Sequence, residues 1–347
     1  MKSLTKDIRK LSKEEIAADF ALQNIPKYRA KQVFDWLWNK SAGSFEEMTN
    51  LSKDFRQWMN ENYSIRLLSE NVVQQSNDGT IKIGFQCVDN RMIEGVMIPA
   101  ADRMTACVSS QVGCSLSCKF CATGMLKRER NLDAGEIYDQ VVFLNKQSIK
   151  QFGKSLSNIV YMGMGEPLLN YDNVMKSIDY ITSPEGLGMS ARRITVSTSG
   201  VSRGIRRMAD EGKKFKLALS LHAADDVKRE LIMDINKSNP LDEVMDALLY
   251  FYNKTGNKIT FEYILFDQFN DSDEDASNLI KLCKRVPAFV NIIEYNQVDG
   301  VVYTKAKEDR LNYFKNTLEK AGVDVQVRRS RGKDIDAACG QLANKNK

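Results

Sequence analysis

The sequence predicts an α/β protein whose core is a largely parallel β-sheet, preceded by a small helical region. Short runs of apolar and β-branched residues recur from about residue 106 onward, and stretches with helical periodicity separate them. Strands that helices cover on both faces have such continuous apolar runs, so this alternation is typical of a parallel sheet. The helical region is predicted from apolar residues at helical spacing before residue 75.

Length and composition are those of an ordinary globular protein. The 347 residues allow one large domain, or a large and a small one, and 43% of them are hydrophobic and 27% charged. The net charge of +5 is too small to indicate a nucleic-acid partner by itself. Because no apolar run is long enough to span a bilayer and no signal-peptide pattern opens the chain, we expect a cytoplasmic protein without a membrane partner.

Seven cysteines and one histidine restrict the chemistry. An odd number of cysteines in a long chain without an export signal argues against a disulfide framework. Three of them, Cys114, Cys118 and Cys121, fall within eight positions, which indicates metal or redox chemistry. The single histidine, His222, excludes sites that need two or more histidines, such as most catalytic zinc sites.

Residues 1–75 are predicted to form a helical accessory domain, with helices at residues 29–38 and after a cap at residues 49–52. This region contains no cysteine, which favours an accessory role over a catalytic one. Residues 76–105 have a strand pattern instead and are predicted to form a linking hairpin that turns at Asp89 and Asn90.

Six strand-and-helix units are predicted after the hairpin, and a last helix and strand follow them. Six units fit an incomplete barrel or a doubly wound sheet, and periodicity does not decide between the two. The predicted strands are residues 106–109, 158–162, 194–197, 217–221, 259–264, 290–294 and 323–328, and the predicted helices are residues 134–146, 174–181, 241–254, 273–285 and 308–321.

Residue types that are typical of ligand sites follow the ends of these strands. The cysteine cluster follows the first strand, the segment GMGEP (residues 163–167) follows the second, and Asn296 follows the sixth. Ser197 and Ser220 end the third and fourth strands. Ligands of parallel α/β folds bind at the carboxyl edge of the sheet, so an active site is predicted there.

The cysteine cluster reads CSLSCKFC from Cys114 to Cys121. An iron–sulfur cubane takes four ligands, so a loop with three thiolates leaves one iron open. The cysteine spacing resembles the signature of radical S-adenosylmethionine (SAM) enzymes, and GMGEP is similar to the GGEP element with which that family contacts SAM. The resemblance implies a [4Fe–4S] cluster whose open iron binds SAM. A zinc knuckle or a group of buried thiols is the alternative, although zinc needs a fourth ligand.

Further segments extend the resemblance to one family, the RlmN methyltransferases, over nearly the whole chain. The implied fold is a partial (βα)6 radical SAM barrel in residues 106–347 with a methyl-carrier cysteine in a C-terminal loop. Residues 1–75 correspond to a small N-terminal helical accessory domain that binds RNA, and residues 76–105 link the two. The similar segments are residues 28–30, 48–52, 107–114, 118–124, 162–170, 193–200, 219–222 and 334–342.

The resemblance implies a methyltransferase that acts on carbon-2 of an adenine in 23S ribosomal RNA and of an adenosine beside the anticodon in some tRNAs. Two SAM molecules are used per turnover, one of which methylates a cysteine of the protein. We also expect an electron donor such as flavodoxin, a thiol reductant that resets the enzyme, and a monomeric state.

Roles for single residues also come from the resemblance. Cys339 matches the cysteine that carries the carbon to the RNA. Cys107 matches the thiol that resolves the covalent protein–RNA intermediate through a disulfide, and Glu94 matches the general base. Cys114, Cys118 and Cys121 match the cluster ligands. The positions that match SAM contacts are Gly165, Glu166, Ser197, Ser220, Leu221, His222 and Asn296.

Each assignment has a simpler alternative when the residue is considered alone. Cys107 could be a core thiol in a strand, Cys339 an ordinary free cysteine, and Glu94 a surface carboxylate. His222 could be a core histidine. Two further cysteines match no motif and are expected to be structural: Cys87 and Cys283.

Contacts to RNA phosphates are predicted from clusters of basic residues, with a solvated charged face as the alternative. The last cluster lies just before Cys339. The N-terminal domain is a second candidate for gripping RNA, so deleting residues 1–75 should weaken RNA binding and leave SAM cleavage intact. The clusters are residues 127–130, 192–193, 203–207 and 328–333.

Two other functions are kept as alternatives. The Cfr family shares the catalytic motifs and methylates carbon-8 of the same adenine, but residues 162–167 and 262–265 are more similar to the carbon-2 enzymes. A non-catalytic iron–sulfur or zinc RNA-binding protein would explain the cysteines and the basic clusters. It would explain neither the SAM-like segments nor Cys339.

Overall fold

The computed structural model describes residues 5–344, and a ten-stranded β-sheet dominates them. The first four and last three residues of the predicted domains lie outside this described part. In chain order the strands are β1 (Lys6–Asp7), β2 (Tyr63–Ser64), β3 (Ser69–Gln75), β4 (Ile81–Gln86), β5 (Met92–Pro99), β6 (Met104–Cys107), β7 (Gln111–Val112), β8 (Arg130–Asn131), β9 (Asn158–Tyr161), β10 (Ile194–Thr198), β11 (Lys216–Ser220), β12 (Ile259–Leu265), β13 (Ala288–Glu294) and β14 (Asp324–Arg328). The α-helices are α1 (Lys13–Ala21), α2 (Tyr28–Trp38), α3 (Lys53–Asn62), α4 (Ala134–Phe152), α5 (Tyr171–Thr182), α6 (Ser202–Asp210), α7 (Asp226–Ile232), α8 (Leu241–Thr255), α9 (Asp273–Arg285) and α10 (Glu308–Lys320).

The large sheet has the order β14-β13-β12-β11-β10-β9-β6-β5-β4-β3. All neighbours from β6 to β14 pair in parallel, and at least one helix lies in each connection between them. Parallel pairing requires such crossovers, because the chain must return to the same end of the sheet. The predicted parallel α/β architecture is confirmed.

Helix boundaries follow from local chemistry. Before α4, the side chains of Asp133 and Glu136 each accept a hydrogen bond from the other's backbone N–H, and Gly153 ends the helix with φ 63°. The helix therefore runs past the predicted end at residue 146. Within residues 5–344, no helix is both long and apolar enough to cross a membrane.

The parallel sheet is curved into a partial barrel. In a flat sheet β14 and β9 would be separated by five strand spacings, or about 24 Å. Yet Arg328 Nη1, at the end of β14, lies 4.0 Å from Sδ of Met162, which directly follows β9. The two side chains meet only because the sheet curls around a shared interior, as the predicted partial (βα)6 barrel requires.

The prediction that residues 1–75 are helical is wrong for their last part, because residues 69–75 form the edge strand β3. This strand is mostly exposed and polar, so it lacks the apolar alternation by which strands are recognised. The predicted hairpin is confirmed: β4 and β5 pair antiparallel, and Asn90 in the turn has φ 63°. Since β5 also pairs with β6, the hairpin continues the barrel sheet.

A buried ion pair joins the N-terminal region to the barrel. Arg9 donates to the two carboxylate oxygens of Asp139 in α4 at 2.6 and 2.9 Å, and both side chains are almost fully buried. The guanidinium also lies 4.9 Å from the ring of Trp38, which stacks on Tyr180 of α5 at 3.7 Å. The N-terminal region thus shares the core of the barrel, so deleting residues 1–75 would also remove β3 and expose apolar surface.

Replacing Asp139 with Asn should destabilise the protein strongly, because the Arg9 cation would remain buried without its partner. Removing one member of a buried ion pair costs about 3–5 kcal/mol. The free energy of unfolding in urea, measured on the cluster-free protein, checks this. Asp102→Asn is the matched control, because the ion pair of Asp102 with Arg103 is exposed, and little change is expected there. Equal effects of both substitutions would contradict the prediction.

Candidate active site

The sequence-predicted site residues converge at the carboxyl edge of the parallel strands. The cysteine loop follows β6, the GMGEP segment follows β9, and Asn296 follows β13. Ser197 of β10 and Ser220 of β11 lie side by side, with their hydroxyl oxygens 3.3 Å apart. The topology therefore brings together residues that are up to about 180 positions apart in the sequence.

The cysteine loop is a compact turn that holds three thiols next to one another. Cys121 N–H donates to Cys118 O at 3.2 Å, and a Cβ on Gly124 would lie 2.7 Å from Cys118 O. Burial, with a smaller contribution from the negative charges of Cys121 and Glu166, raises the pKa of Cys114 to about 11. The pKa of Cys118 is likewise raised by burial and then by Cys121 and Cys114. The three sulfur atoms are thus close enough to repel one another as thiolates.

This donor set fits an iron–sulfur cubane. Three partly buried thiolates need compensating positive charge, which a cluster of iron ions supplies. A zinc knuckle needs four protein ligands, whereas a cubane held by three thiolates leaves one iron open. Since the loop offers three cysteines, the donor set favours the cluster over a zinc knuckle.

Asn296 offers a buried polar atom for a ligand. Its side-chain amide donates weakly to Glu294 O and to Cys339 O, both at 3.4 Å. Its Oδ1 is buried and has no hydrogen-bond partner. Since a buried acceptor without a partner is costly, this atom fits a donor group of a bound molecule such as SAM.

The GMGEP segment is held in place by contacts with its neighbours. Glu166 is buried, and its carboxylate accepts from Leu168 N at 3.1 Å and from Ser199 N at 2.8 Å. Gly165 has φ 93°, and a Cβ there would lie 2.5 Å from Cβ of Gln111. The glycine is thus required by packing against the start of the cysteine loop. These contacts fix the turn, and the assignment of Gly165 and Glu166 as SAM contacts stays a prediction.

His222 is held as a neutral imidazole. It is buried, has φ 56°, and accepts a hydrogen bond at Nδ1 from Ile264 N at 3.1 Å. Burial, followed by the positive charge of Arg229, lowers its pKa to about 3. With Nδ1 occupied as an acceptor, Nε2 carries the proton and is a fixed donor. The neighbouring Leu221 is fully buried, and its backbone N–H donates to Glu262 O at 3.0 Å.

The two thiols predicted to react with the RNA adduct are neighbours in the barrel. Burial raises the pKa of Cys107 to about 12, and the negative charge of Cys339 is the next cause. The loop that carries Cys339 is fastened to the cysteine loop: Ala122 N–H donates to Gly340 O at 2.7 Å, and Thr123 Oγ1 donates to Leu342 O at 2.6 Å. We call residues 334–344 the carrier loop.

Glu94 is not a surface carboxylate, because it is 4% exposed. Its Oε1 lies 3.5 Å from Nζ of the buried Lys82, and its Oε2 accepts from the N–H groups of Ala343 and Asn344 at 2.9 and 3.1 Å. Lys82 also donates to Asp336 O at 3.4 Å. The predicted base is therefore bound directly to the end of the carrier loop, and its neighbour Lys82 is bound near the start of that loop.

Two buried cations at the site were not identified from the sequence. Arg229 is fully buried in α7, donates to the carbonyls of Ser199 and Leu221, and has a pKa lowered to about 10 by burial. An arginine in a short polar helix usually reaches solvent, so no sequence signal marked it. Lys82 stands in a strand whose two faces are both buried, which alternation does not predict.

The remaining predicted residues are placed more simply. Cys87 lies in the main hydrophobic core and Cys283 packs against it, as expected for structural thiols. Of the basic clusters, Arg130 and Arg207 are engaged in ion pairs, with Asp89 and Glu136 and with Asp172 and Glu211 respectively. Arg192, Arg193, Arg203 and Arg206 are exposed.

Comparison with known proteins agrees with the fold and the cysteine loop. Residues 108–280 match the model of the radical SAM superfamily. The solved structure of a radical SAM methyltransferase from Sphaerobacter thermophilus is similar with a TM-score of 0.91 and 40% identity, covering 97% of this chain and 99% of that one. The fold and the three-thiol loop thus define a radical SAM protein.

Relatives with higher sequence identity identify the family within this superfamily. Residues 6–65 match the model described as the ribosomal RNA large subunit methyltransferase N-terminal domain. A probable dual-specificity RNA methyltransferase RlmN of Flavobacterium psychrophilum is 54% identical, covering 98% of both chains. One of Streptococcus mutans is 44% identical, covering 91% of this chain and 89% of its own. The chain belongs to the RlmN family.

The low pKa of His222 predicts a pH-dependent stability. An unfolded histidine has a pKa of about 6.5. The pKa of His222 is lower in the folded protein than in the unfolded chain. The contribution of the neutral imidazole to the free energy of unfolding is therefore complete above pH 6.5 and is lost as the pH falls toward about 3. Between pH 7 and pH 5 the free energy of unfolding of the wild type should fall by about 2 kcal/mol more than that of a His222→Asn variant. Asn retains an acceptor in place of Nδ1 and tolerates the positive φ. Urea unfolding of the cluster-free proteins at both pH values measures the difference, and parallel pH curves would contradict the prediction.

Proposed function

We propose that this protein is a radical SAM methyltransferase that methylates carbon-2 of an adenine in 23S ribosomal RNA and of an adenosine beside the anticodon in some tRNAs. Membership of the RlmN family supports the RNA methyltransferase activity. The observation that carries the proposal is the fastening of the loop that contains Cys339 to the loop of three clustered thiols, with Cys107 close enough to Cys339 for their charges to interact. A binding protein without catalysis has no need of such a thiol pair.

The chemistry of the target explains why a protein thiol takes part. Carbon-2 of adenine is electrophilic and cannot attack the methyl group of SAM. The carbon must therefore be delivered in activated form from a tethered atom. When bound, the cluster and SAM supply the radical chemistry that activates a methyl group carried on sulfur. Two SAM molecules per turnover and an electron donor such as flavodoxin belong to this scheme.

The cofactor-binding residues are those at the carboxyl edge. Cys114, Cys118 and Cys121 would hold the cluster. For SAM, His222 offers a permanent Nε2 donor and Asn296 a buried Oδ1 acceptor without a partner. The other proposed SAM contacts are Gly165, Glu166, Ser197, Ser220 and Leu221.

Cys339 is the proposed carbon carrier. Its loop is hydrogen-bonded to the cysteine loop through Gly340 and Leu342, so its sulfur is held at the site where the methyl group is activated. A tether of this kind replaces a bimolecular encounter with a fixed geometry, which favours reaction.

Glu94 is the proposed base that removes the carbon-2 proton from the RNA adduct. Its burial and its contact with Lys82 fix the orientation of the carboxyl group. The amides of Ala343 and Asn344 both donate to Oε2. Oε1 lies 3.5 Å from Lys82 Nζ and is the oxygen proposed to accept the proton.

Cys107 is the proposed resolving thiol. Its attack on the Cys339 sulfur forms a disulfide and releases the methylated RNA, and a thiol reductant then restores both cysteines. Cys107 and Cys339 are close enough for their charges to interact, which suits this exchange because the attacked sulfur must come within reach of the attacking one.

Cys107→Ala is expected to trap the RNA on the protein, since the adduct on Cys339 forms but is not released. Anaerobically reconstituted enzyme, SAM, a reductant and an rRNA fragment are combined, and a covalent band is sought on a denaturing gel. Cys339→Ala is the control and should give no band. Normal turnover by Cys107→Ala would remove the two-thiol reaction.

The position of the new methyl group tests the target chemistry. Mass spectrometry and NMR of the modified nucleoside should place it on carbon-2, and a carbon-8 product would assign the protein the activity of the Cfr family. Reconstituted protein should also absorb broadly near about 400 nm and release 5′-deoxyadenosine from SAM. A colourless protein without this product would support the non-catalytic alternative.

A further inference from the structure

Arg328 is a half-buried cation whose partners are not those of the neighbouring basic residues. Its Nη1 lies 3.9 Å from Oε2 of the buried Glu262 and 4.0 Å from Sδ of Met162. In contrast, Arg329 and Lys333 pair with Glu294 at 2.6 and 3.2 Å, on the far side of the strand end. The cluster of basic residues at 328–333 therefore contains one arginine that faces the barrel interior.

The same guanidinium is within electrostatic reach of both thiols, and the Met162 that it contacts directly follows β9, the strand that pairs with β6 at Cys107. The negative charge of Cys339 is the largest cause that raises the pKa of Arg328, and Glu262 and Cys107 contribute in the same direction. In return, the charge of Arg328 acts to lower the pKa of Cys107, as does a hydrogen bond from the backbone N–H of Met162. Cys107 thus has two groups that favour its thiolate, and Met162 touches both Arg328 and Cys107.

Stabilisation of the Cys107 thiolate matters because the resolving reaction requires a thiolate. Burial raises its pKa to about 12, so very little thiolate exists near neutral pH. The described titratable groups that act on it are Cys339 of the carrier loop, which opposes ionisation, and Arg328 of β14, which favours it. Glu262 of β12 faces Arg328 and keeps that side chain in the interior.

Alkylation of Cys339 favours the thiolate form of Cys107. A sulfur that carries a carbon substituent does not ionise, so the charge that opposes the Cys107 thiolate is removed. Arg328 at the same time loses its strongest thiol partner, and Cys107 is the one that remains. The thiolate is thereby favoured in the state that has to be resolved.

We propose that Arg328 is a positioning residue that stabilises the Cys107 thiolate once Cys339 is alkylated, which sets the rate of adduct release. The inference rests on the proposed function. In the step, the Cys107 sulfur bonds to the Cys339 sulfur, and the bond between Cys339 and the RNA-bound carbon breaks. The electron pair of that bond leaves with the carbon, which takes a proton to complete the methyl group. Two cysteine sulfurs are oxidised to a disulfide, and the carbon is reduced by two electrons.

The expected size of the effect follows from thiol chemistry. Losing an opposite charge within a few ångströms raises a pKa by about 1–3 units. Each unit reduces the thiolate fraction about tenfold, while the remaining thiolate becomes about threefold more nucleophilic. Arg328→Met should therefore slow release of the adduct about 3- to 40-fold near neutral pH.

The experiment follows the decay of preformed adduct as a function of pH. Because the pKa of Cys107 is far above neutral, decay should accelerate with pH in both proteins, and Arg328→Met should remain slower than the wild type throughout this range. Arg328→Lys keeps the charge and should restore much of the rate. Arg329→Met is the matched control, because Glu294 retains Lys305 and Lys333. Unchanged decay in Arg328→Met, or Arg328→Lys decaying as slowly as Arg328→Met, would overturn the inference.

A second measurement does not need RNA. In reconstituted Cys339→Ala protein, where position 339 does not ionise, the rate of Cys107 alkylation by iodoacetamide should rise with pH. Arg328→Met should move this profile to higher pH, and an unmoved profile counts against the inference. If Cys107→Ala forms no adduct, the two-thiol reaction fails and this inference fails with it. If that adduct forms but Arg328→Met behaves as wild type, only the role of Arg328 is lost.

Discussion

The site depends on the curvature of the parallel sheet. Strand β14 is five places from β9 in the sheet order, yet Arg328 reaches Met162 and acts on Cys107 of β6. Without this curvature the carrier loop, which follows β14, would lie far from the cysteine loop, which follows β6. Helices on the outer face and a continuous apolar layer under them hold the strands in this arrangement.

The carrier loop connects three parts of the active site. It is hydrogen-bonded to the cysteine loop through Thr123, to the hairpin through Lys82, and to Glu94 through the amides of Ala343 and Asn344. Its beginning is also fixed, because Asp334 accepts from Ser76 Oγ at 2.5 Å. Cys339, Glu94 and the loop of three cysteines therefore do not move independently.

Sequence patterns predicted the parallel strands, the main helices and the edge at which the site lies, because continuous apolar runs and helical periodicity are local signals. They missed β3, whose exposed polar residues resemble a loop. They also missed Arg229, Lys82 and the interior direction of Arg328. The burial of a charged side chain depends on which distant segments surround it, and nothing next to Arg328 distinguishes it from Arg329.

The hydrogen bonds from Ala122 and Thr123 to the carrier loop have a consequence for damage by oxygen. Both donors belong to the turn that follows Cys121, a proposed cluster ligand, so a displacement of this turn would be passed on to the loop that contains Cys339. Oxidative loss of the cluster would therefore act on the position of Cys339 as well as on the three clustered thiols.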